Sequence, residues 1–285
     1  MESTVKVAHL ILAHRNLGHL ERTVAKLSHR DATVFIHLDA KAPLGSIVTK
    51  LAGSGQAILI KNRVNVKWGA FSMVMATLRA FEEILSHSQD YDFINLLSES
   101  DYPLADAQTF HDFLASHKGY SFVEYEQDGS PWIENAQTKV YRYHLVDYRF
   151  PGKYYLQDVI NFLTPRRKMP LGLELVGRSQ WFTMSSKHVK HVLEFTAQHP
   201  RVVRFFRHTW GPDEYYFQTI LFNSIHRGHL VNDNLRYIDW SEGKHSPKTL
   251  TAADHHRVIQ SGKFFARKFD VSVDSAILDK LDNIR

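Results

Sequence analysis

Apolar runs that read as buried β-strands alternate with helical patterns over the first hundred residues of the chain. The strand candidates are Val5–Ala13, Thr33–Leu38, Ala57–Ile60 and Asp92–Leu97. Between them, Leu20–Leu27 and Trp68–Leu85 place apolar residues at helical spacing. This order of elements predicts an α/β fold built on a Rossmann-like, mostly parallel sheet that is flanked by helices. Ligands of such sheets bind beyond the carboxyl ends of the strands.

The remainder of the chain is less regular in its pattern. Its predicted elements are a strand at Gln180–Met184 and helices over Ser186–Ala197, Asp213–Ile225 and Ser275–Ile284. Scattered aromatic residues over 120–175 show no clear period, which is typical of a variable or mobile insert. Since no repeat or linker divides the sequence, we expect a single domain over 1–285.

Composition removes several kinds of chemistry. The chain has no cysteine, which excludes thiolate nucleophiles, disulfides and iron–sulfur clusters. The Gly-x-Gly-x-x-Gly, P-loop and Gly-x-Ser-x-Gly patterns are missing, which disfavours dinucleotide oxidoreductases, P-loop kinases and serine hydrolases. Lys and Arg total 35 against 30 Asp and Glu, a net charge of +5 that suits a phosphate-bearing ligand and is too small for bulk nucleic-acid binding.

Histidine is abundant, with 18 residues, but its spacing does not predict a metal site. No two histidines flank a glutamate at the His-Glu-x-x-His spacing of a zinc hydrolase helix. Pairs such as His255-His256 are interpreted as surface or hydrogen-bonded polar residues. We therefore expect no metal ion and no cofactor.

Acidic residues follow two of the predicted strands and open a later helix. Asp39 either caps a turn or contacts a ligand. Glu99 and Asp101 form either a solvated turn or a functional acid pair, and their position directly after a buried strand slightly favours function. Glu214, next to Asp213, is by itself typical of a surface acid near a helix N-terminus. The local sequence leaves each alternative open.

A basic segment near the end of the chain interleaves cations with phenylalanines. Its cations are Lys263, Arg267 and Lys268, and its aromatic residues are Phe264, Phe265 and Phe269. One interpretation is that the aromatic rings anchor the segment while the cations face a diphosphate. The more common arrangement for such a run is an amphipathic strand whose cations extend along the surface.

Motifs in a fixed order connect these pieces. They lie at 34–41, 68–72, 92–104, 177–182, 212–217, 234–237 and 264–270. The most specific are Asn-Leu-Leu-Ser-Glu-Ser-Asp-Tyr-Pro, which ends at Pro103, and Phe-Phe-Ala-Arg-Lys-Phe, which ends at Phe269. Together they resemble glycosyltransferase family 14, the core-2/I-branching β-1,6-N-acetylglucosaminyltransferases and peptide O-xylosyltransferases. The resemblance covers nearly the whole chain.

The resemblance implies a GT-A fold with a nucleotide-sugar-binding half at 1–119 and an acceptor-binding and catalytic half at 120–285. It implies inverting transfer from a UDP-sugar without a divalent metal. Glu214, in Pro-Asp-Glu-Tyr, matches the general base that takes the proton of the acceptor hydroxyl. Arg267 and Lys268 match the basic pair that stabilises the leaving diphosphate.

Further residues are assigned by the resemblance to the nucleotide sugar. They are His14, Asp39, Trp68, Asp101, Gln180 and Trp181. Core packing is the alternative for Trp68. Two positions depart from the family pattern: Gln180 replaces an acid of the xylosyltransferases or a small residue of the branching enzymes, and Arg178 replaces a second glycine. The first departure leaves the donor sugar open between N-acetylglucosamine and xylose.

The resulting expectation is an enzyme that transfers a sugar from a UDP-sugar to a hydroxyl of a saccharide or glycoconjugate. The alternatives are an inactive nucleotide- or carbohydrate-binding protein of the same fold, and a polyanion-binding protein that uses Arg166, Arg167 and Lys168. The sequence shows no targeting or membrane-spanning segment and resembles a compact bacterial relative. We expect a cytoplasmic protein, in peripheral contact with the inner face of the membrane if its acceptor is lipid-linked.

Overall fold

The computed structural model describes residues 4–15 and 17–283, which form two compact units. The first unit consists of the stretch up to Lys61, His87–Lys118 and the stretch from Leu235 onward. The second consists of Asn62–Ser86 and Gly119–Asn234. The units do not follow the expected boundary between 1–119 and 120–285, since residues 62–86 group with the later part of the chain and residues 235–283 with the earlier part. The assignment of one half to the nucleotide sugar and the other to the acceptor stays a prediction.

The described elements are as follows. The strands are β1 (Val7–Ala13), β2 (Ala32–Leu38), β3 (Ile58–Leu59), β4 (Phe93–Ser98), β5 (Tyr102–Pro103), β6 (Ser121–Glu126), β7 (Gly177–Ser185), β8 (Leu230–Val231), β9 (Arg236–Ile238) and β10 (Phe265–Arg267). The α-helices are α1 (Leu20–Lys26), α2 (Ser46–Gly53), α3 (Phe71–Leu85), α4 (Ala107–Ser116), α5 (Pro131–Tyr141), α6 (Lys153–Leu163), α7 (Ser186–Gln198), α8 (Pro200–Arg207), α9 (Tyr216–Phe222), α10 (His255–Gln260) and α11 (Ala276–Asp282).

The first unit is built on parallel strands in the order β3-β2-β1-β4. Every residue of β1 is buried, as expected for a central strand that is covered on both faces. The strands begin and end within two residues of the predicted apolar runs. The prediction of an α/β fold with mostly parallel strands and helices between them is confirmed, as the GT-A expectation requires.

A small second sheet in the first unit holds the basic segment. Its strands are ordered β5-β10-β9, with β10 antiparallel to β5 and parallel to β9. Phe265 and Phe269 are buried, and the Phe264 ring lies 4.7 Å from that of Phe113. The aromatic residues therefore anchor the segment, as the first interpretation expects. That the cations face a diphosphate stays a prediction.

In the second unit the strand order is β7-β6-β8, and β6 and β7 are antiparallel. Helix α3 contributes Phe81, whose ring lies 6.2 Å from Phe182 on β7 and 6.0 Å from Phe217 on α9. All residues of α9 are buried. These rings form the apolar core that supports the turn before α9.

Residues 120–175 are more regular than their sequence pattern indicates. They contain β6, α5 and α6, and α5 begins where the Ser130 side chain accepts a hydrogen bond from the Ile133 N–H, with Pro131 in the first turn.

Two other helices differ from their predicted bounds. The helix predicted from Asp213 begins at Tyr216, after a 3₁₀ turn, and the last helix ends at Asp282, while Ile284 lies outside the described residues. In the described part of the chain, no helix is long and apolar enough to cross a membrane.

Candidate active site

The predicted site residues are distributed over both units. The first unit holds His14, Asp39, Asp101, Arg267 and Lys268, and the second holds Trp68, Gln180, Trp181 and Glu214. The contacts of these side chains are described below for each unit separately, beginning with the second unit, which contains the predicted base Glu214.

Glu214 ends a tight 3₁₀ turn that starts from a glycine. Gly211 has φ +64°, a backbone conformation that glycine adopts without strain, and Pro212 follows at the first position of the turn. The Glu214 N–H donates to the Gly211 carbonyl at 3.2 Å. On the other side of the turn, a Cβ atom at Gly177 would overlap the backbone carbonyl oxygen of Glu214. The start of β7 and the turn thus approach each other closely because residue 177 has no side chain.

Two adjacent carboxyl groups lie in this turn. Burial raises the pKa of Glu214 to about 7, with the negative charge of Asp213 acting in the same direction and the positive charges of Lys139 and Arg178 acting against it. Burial also raises the pKa of Asp213, whose buried Oδ1 atom has no hydrogen-bond partner among the described residues. Near neutral pH, the pair therefore exchanges protons more readily than ordinary surface acids do.

Charged and aromatic residues of α5, β6 and β7 surround the turn. Arg178 lies 3.7 Å from the Glu124 carboxylate and 3.5 Å from that of Glu126, and its guanidinium is 5.7 Å from the Trp132 ring centre. The Trp132 ring in turn lies 5.1 Å from that of Tyr215. Arg178, which departs from the family glycine, is therefore held between acidic side chains and an aromatic ring while its charge acts on Glu214.

Trp68 is an exposed side chain, not a core residue. It is 68% exposed, and its ring meets that of Trp210 edge-on at 5.1 Å. Gly69 has φ +70°, and a Cβ there would lie 3.3 Å from the Trp210 indole. The Gly211 N–H donates to the Gly69 carbonyl at 2.9 Å, and this hydrogen bond connects the residue after Trp68 to the turn that carries Glu214. Trp68 is thus available for a ligand, and the core-packing alternative is wrong.

The neighbouring residues of β7 differ in their access to solvent. Trp181 is 7% exposed and packs in the core, so little of its side chain is available to a ligand. Gln180 is half-buried, and within residues 4–15 and 17–283 its Nε2 atom finds no hydrogen-bond partner. An unpaired buried amide is a donor that a ligand atom can satisfy.

In the first unit, Asp101 is paired with Arg267. The Asp101 carboxylate is buried, accepts a hydrogen bond from the Ser98 N–H at 2.6 Å, and lies 2.9 Å from the Arg267 Nε atom. Burial lowers the pKa of Arg267 while Asp101 raises it. The structure therefore turns Asp101 toward the arginine and away from solvent, so it positions Arg267 and does not offer its own oxygens to a sugar. Lys268, next in sequence, is half-exposed.

His14 and Asp39 lie at the carboxyl ends of β1 and β2, as expected. His14 is exposed, and its Nδ1 atom lies 2.8 Å from the buried Glu99 carboxylate, which also accepts hydrogen bonds from the backbone N–H groups of His14 and Arg15. Glu99 thus holds the loop after β1. Asp39 is 5% exposed and accepts a hydrogen bond from the Lys41 N–H at 2.8 Å. This hydrogen bond caps the turn, which is the first of the two alternatives for Asp39.

Residues 4–15 and 17–283 contain no set of three or more His, Asp or Glu side chains that is arranged to hold a metal ion. Arg267 and Lys268, the cations expected to contact a diphosphate, are both half-buried in the first unit.

Most of the chain matches one protein family. The model of the Core-2/I-Branching enzyme family matches residues 7–261. The chain belongs to this family. The segments Gly177–Phe182 and Pro212–Phe217 both lie within the matched residues, and the structure brings Gly177 against the Glu214 carbonyl oxygen.

Among known proteins, this branching-enzyme family member is similar to xylosyltransferases. It is 26% identical to xylosyltransferase 1 of Rattus norvegicus over 98% of the chain and 35% of the relative. It is 27% identical to xylosyltransferase oxt of Drosophila melanogaster and to xylosyltransferase 2 of Homo sapiens, over 98% of the chain and 33% of each relative. The chain spans about a third of the length of these relatives. A mouse xyloside xylosyltransferase 1 structure aligns at 10% identity over 91% of this chain and 97% of that one, with a TM-score of 0.38.

Several residues around Glu214 were not found by motif reasoning. Lys139 and Trp132 lie on α5, and Glu124 lies on β6, both within the stretch interpreted as an insert. Trp210 precedes the Glu214 motif by a short distance but carries no pattern of its own. Their common signal is spatial, since α5, β6 and the segment before the turn come together only in the folded second unit.

Proposed function

We propose that the chain is an inverting glycosyltransferase that moves a sugar from a UDP-sugar to a hydroxyl of a saccharide or glycoconjugate. The observation that carries the proposal is the Glu214 carboxyl, partly buried beside a second acid and with a pKa raised to about 7. A general base works best when its pKa lies near the working pH. Family membership supplies the reaction class, and this carboxyl supplies a group able to perform its proton transfer.

In the proposed step, the acceptor hydroxyl loses its proton to the Glu214 carboxylate as its oxygen attacks the anomeric carbon. The bond between that carbon and the UDP oxygen breaks, and the electron pair leaves with the diphosphate. Inversion follows because attack and departure occur on opposite faces of the sugar. Arg267 and Lys268 would stabilise the negative charge that develops on the diphosphate.

Lys139 and Arg178 act on the base through their charge. Both lower the pKa of Glu214, against the effects of burial and Asp213. Without these cations the carboxyl would be protonated over more of the neutral range and less of it would be able to accept a proton. Trp68, exposed beside the same turn, is proposed to contact the donor or acceptor sugar through its ring face.

UDP-xylose is the donor that we propose to test first, with UDP-N-acetylglucosamine second. The relatives named above are xylosyltransferases, whereas the family description points to the branching enzymes. Gln180, with its unpaired amide, stands where these two groups differ in sequence. The uncharged Gln180 amide would donate a hydrogen bond to a hydroxyl or an N-acetyl oxygen of the transferred sugar.

The proposal is tested by UDP release from a donor panel with saccharide acceptors, with and without EDTA. We expect turnover of one donor in the presence of EDTA. Activity that requires added Mn²⁺ would contradict the metal-independent mechanism. UDP binding without transfer to any acceptor would instead favour an inactive nucleotide-binding protein.

Glu214→Gln tests the base directly. We expect turnover to fall about a thousandfold, which is the usual contribution of a positioned base, with unchanged UDP binding in a thermal-shift assay. The matched control is Glu194→Gln, an exposed acid on α7 of the same unit, which should leave turnover as it is. Retained transfer in Glu214→Gln would remove Glu214 from the base role.

A further inference from the structure

Helix α6 in the second unit turns apolar side chains outward. None of its residues is buried, and Tyr155, Phe162 and Leu163 are 77%, 88% and 72% exposed. Tyr155 and Phe162 are seven residues apart, two helical turns, so they lie on the same face with Leu163 beside them. Single exposed apolar residues are ordinary on protein surfaces, whereas a contiguous set of large ones marks a contact surface.

The inward side of the same helix is polar. The Asn161 side chain accepts a hydrogen bond from the Tyr143 N–H at 2.8 Å and donates to the Tyr143 carbonyl at 2.9 Å. The Gln157 side chain accepts from the Leu145 N–H at 2.9 Å. These bonds hold the helix to the preceding loop by its polar face. The outward orientation of the apolar face is therefore built into the fold.

The segment after α6 is also held in place, and it presents cations. Arg167 donates hydrogen bonds to the carbonyl oxygens of Phe205, at 2.6 Å, and Val140, and its guanidinium lies 4.2 Å from the Phe205 ring centre. Its neighbours Arg166 and Lys168 are exposed. With the inner arginine anchored, the two outer cations stay at the end of the apolar face.

A third cation precedes the helix. Arg149 is exposed, and in the described part of the chain neither it nor Arg166 nor Lys168 forms an ion pair. Asp158 is the exposed acid on α6 itself. We name this set the α6 surface: Tyr155, Phe162 and Leu163 with Arg149, Arg166 and Lys168.

We propose that the α6 surface docks the protein on a bilayer that contains anionic phospholipid. Apolar and aromatic side chains on one face of a helix, with cations at its ends, match the interface between headgroups and acyl chains. Anionic headgroups complement the three cations, while a second copy of the chain would bring the same positive charges together. The proposal is independent of the transferase assignment and would place the second unit of the enzyme at a membrane surface.

Flotation with vesicles tests this proposal. The full chain is mixed with vesicles of phosphatidylcholine alone, or of phosphatidylcholine with phosphatidylglycerol. We expect binding to the anionic vesicles, which weakens as salt is added because salt screens the cations. No binding to anionic vesicles at low salt would overturn the proposal, as would equal binding to both vesicle types.

The apolar part of the surface is tested by Phe162→Ser with Leu163→Ser. We expect about a tenfold loss of affinity for anionic vesicles, since two large apolar side chains no longer enter the interface. Ile225→Ser is the matched control, because Ile225 is 90% exposed on another part of the same unit. Thermal unfolding of both variants should match that of the parent chain, since the substituted side chains are exposed. Unchanged vesicle binding in the double variant would contradict the proposal.

The charged part is tested by replacing Arg149, Arg166 and Lys168 together with Gln. Each cation near an anionic surface contributes about a fivefold factor, so the triple variant should bind about a hundredfold more weakly. A triple control replaces Lys187, Lys190 and Arg201, exposed cations of α7 and α8, and should lose far less.

Sedimentation of the same variants tests whether a second copy of the chain, and not a membrane, binds the α6 surface. If the parent chain self-associates in the absence of lipid, and Phe162→Ser with Leu163→Ser makes it monomeric, the α6 surface binds a second copy and the membrane proposal fails. We expect the sedimentation behaviour to be the same for both chains.

Discussion

The backbone carbonyl oxygen of Glu214 fills the space that a side chain at Gly177 would need. Gly177→Ala should therefore push the 3₁₀ turn away from β7 and move the proposed base. We expect turnover to fall at least about tenfold, and stability by about 1–3 kcal/mol, as for an overpacked core.

The matched control for this prediction is Gly228→Ala. Gly228 lies in the same unit, and a Cβ there would have no atom within 4 Å. Turnover and urea unfolding are measured for both variants. If Gly177→Ala is as active as Gly228→Ala, the close approach of β7 does not position Glu214.

The charges around Glu214 predict opposite shifts of the pH–rate profile. The base must be ionised, so kcat should rise with pH up to a pKa of about 7. Asp213→Asn removes a neighbouring negative charge and should move this limb to lower pH. Lys139→Gln removes a positive charge and should move it to higher pH. Profiles of kcat for the three proteins check both directions, and shifts of the same sign would contradict the assignment.

Lys268 is the half-exposed cation of the basic pair, while Arg267 is partly neutralised by Asp101. We expect Lys268→Gln to weaken UDP binding about tenfold, the usual worth of a hydrogen bond to a charged group, and to leave uridine binding unchanged. Lys280→Gln, at an exposed position of α11, serves as the control. Equal losses for UDP and uridine would show that Lys268 does not contact the diphosphate. Calorimetric titration provides both affinities.

The buried pair of Asp101 and Arg267 predicts a large loss of stability when one partner is removed. Asp101→Asn removes the carboxylate charge that lies 2.9 Å from the buried Arg267 Nε atom, at a cost of about 3 kcal/mol. Glu82→Gln breaks the exposed pair of Glu82 and Arg79 and should cost less than about 1 kcal/mol. Urea unfolding at neutral pH compares the two. Similar losses would mean that Asp101 is not a structural partner of the arginine.

Buried histidines predict a loss of stability in acid. Burial lowers the pKa of His9 and of His188 from 6.5 to about 3, and each ring is hydrogen-bonded, to Asn95 and Ser121 respectively. Between these values the unfolded chain binds protons that the folded chain does not. The free energy of unfolding should therefore be highest above about pH 6.5 and fall as the pH drops toward 3.

His188→Gln tests this account of the acid limb. A neutral amide in place of the ring cannot take up the proton, so the dependence of unfolding free energy on pH should become shallower. His245→Gln, at an exposed position, is the control and should leave the slope as it is. An unchanged slope in His188→Gln would mean that His188 does not contribute to acid unfolding.

Sequence patterns predicted the parallel strands well and the site only in part. Runs such as Val5–Ala13 have too few polar residues for a surface element, so their burial as strands follows from composition alone. Helix α6 was not predicted among the scattered aromatic residues of 120–175, although Tyr155 and Phe162 lie two helical turns apart on one face. The outward orientation of this face is decided by tertiary contacts, the hydrogen bonds of Gln157 and Asn161 to the preceding loop. The acids were recognised by motif, but the burial of Asp101 and the loop-holding role of Glu99 depend on partners that are distant in sequence.

Local sequence suffices for features that one segment decides: which runs are buried, which glycines allow a tight turn, and which family motifs the chain carries. The protonation of a side chain and its exposure to solvent depend on groups that only folding brings together. Glu214 has a raised pKa because the second unit buries it beside Asp213, and α6 exposes its aromatic face because Gln157 and Asn161 bind the loop behind it. Electrostatic and contact energies depend on distance in space, and the chain sets those distances only when it packs.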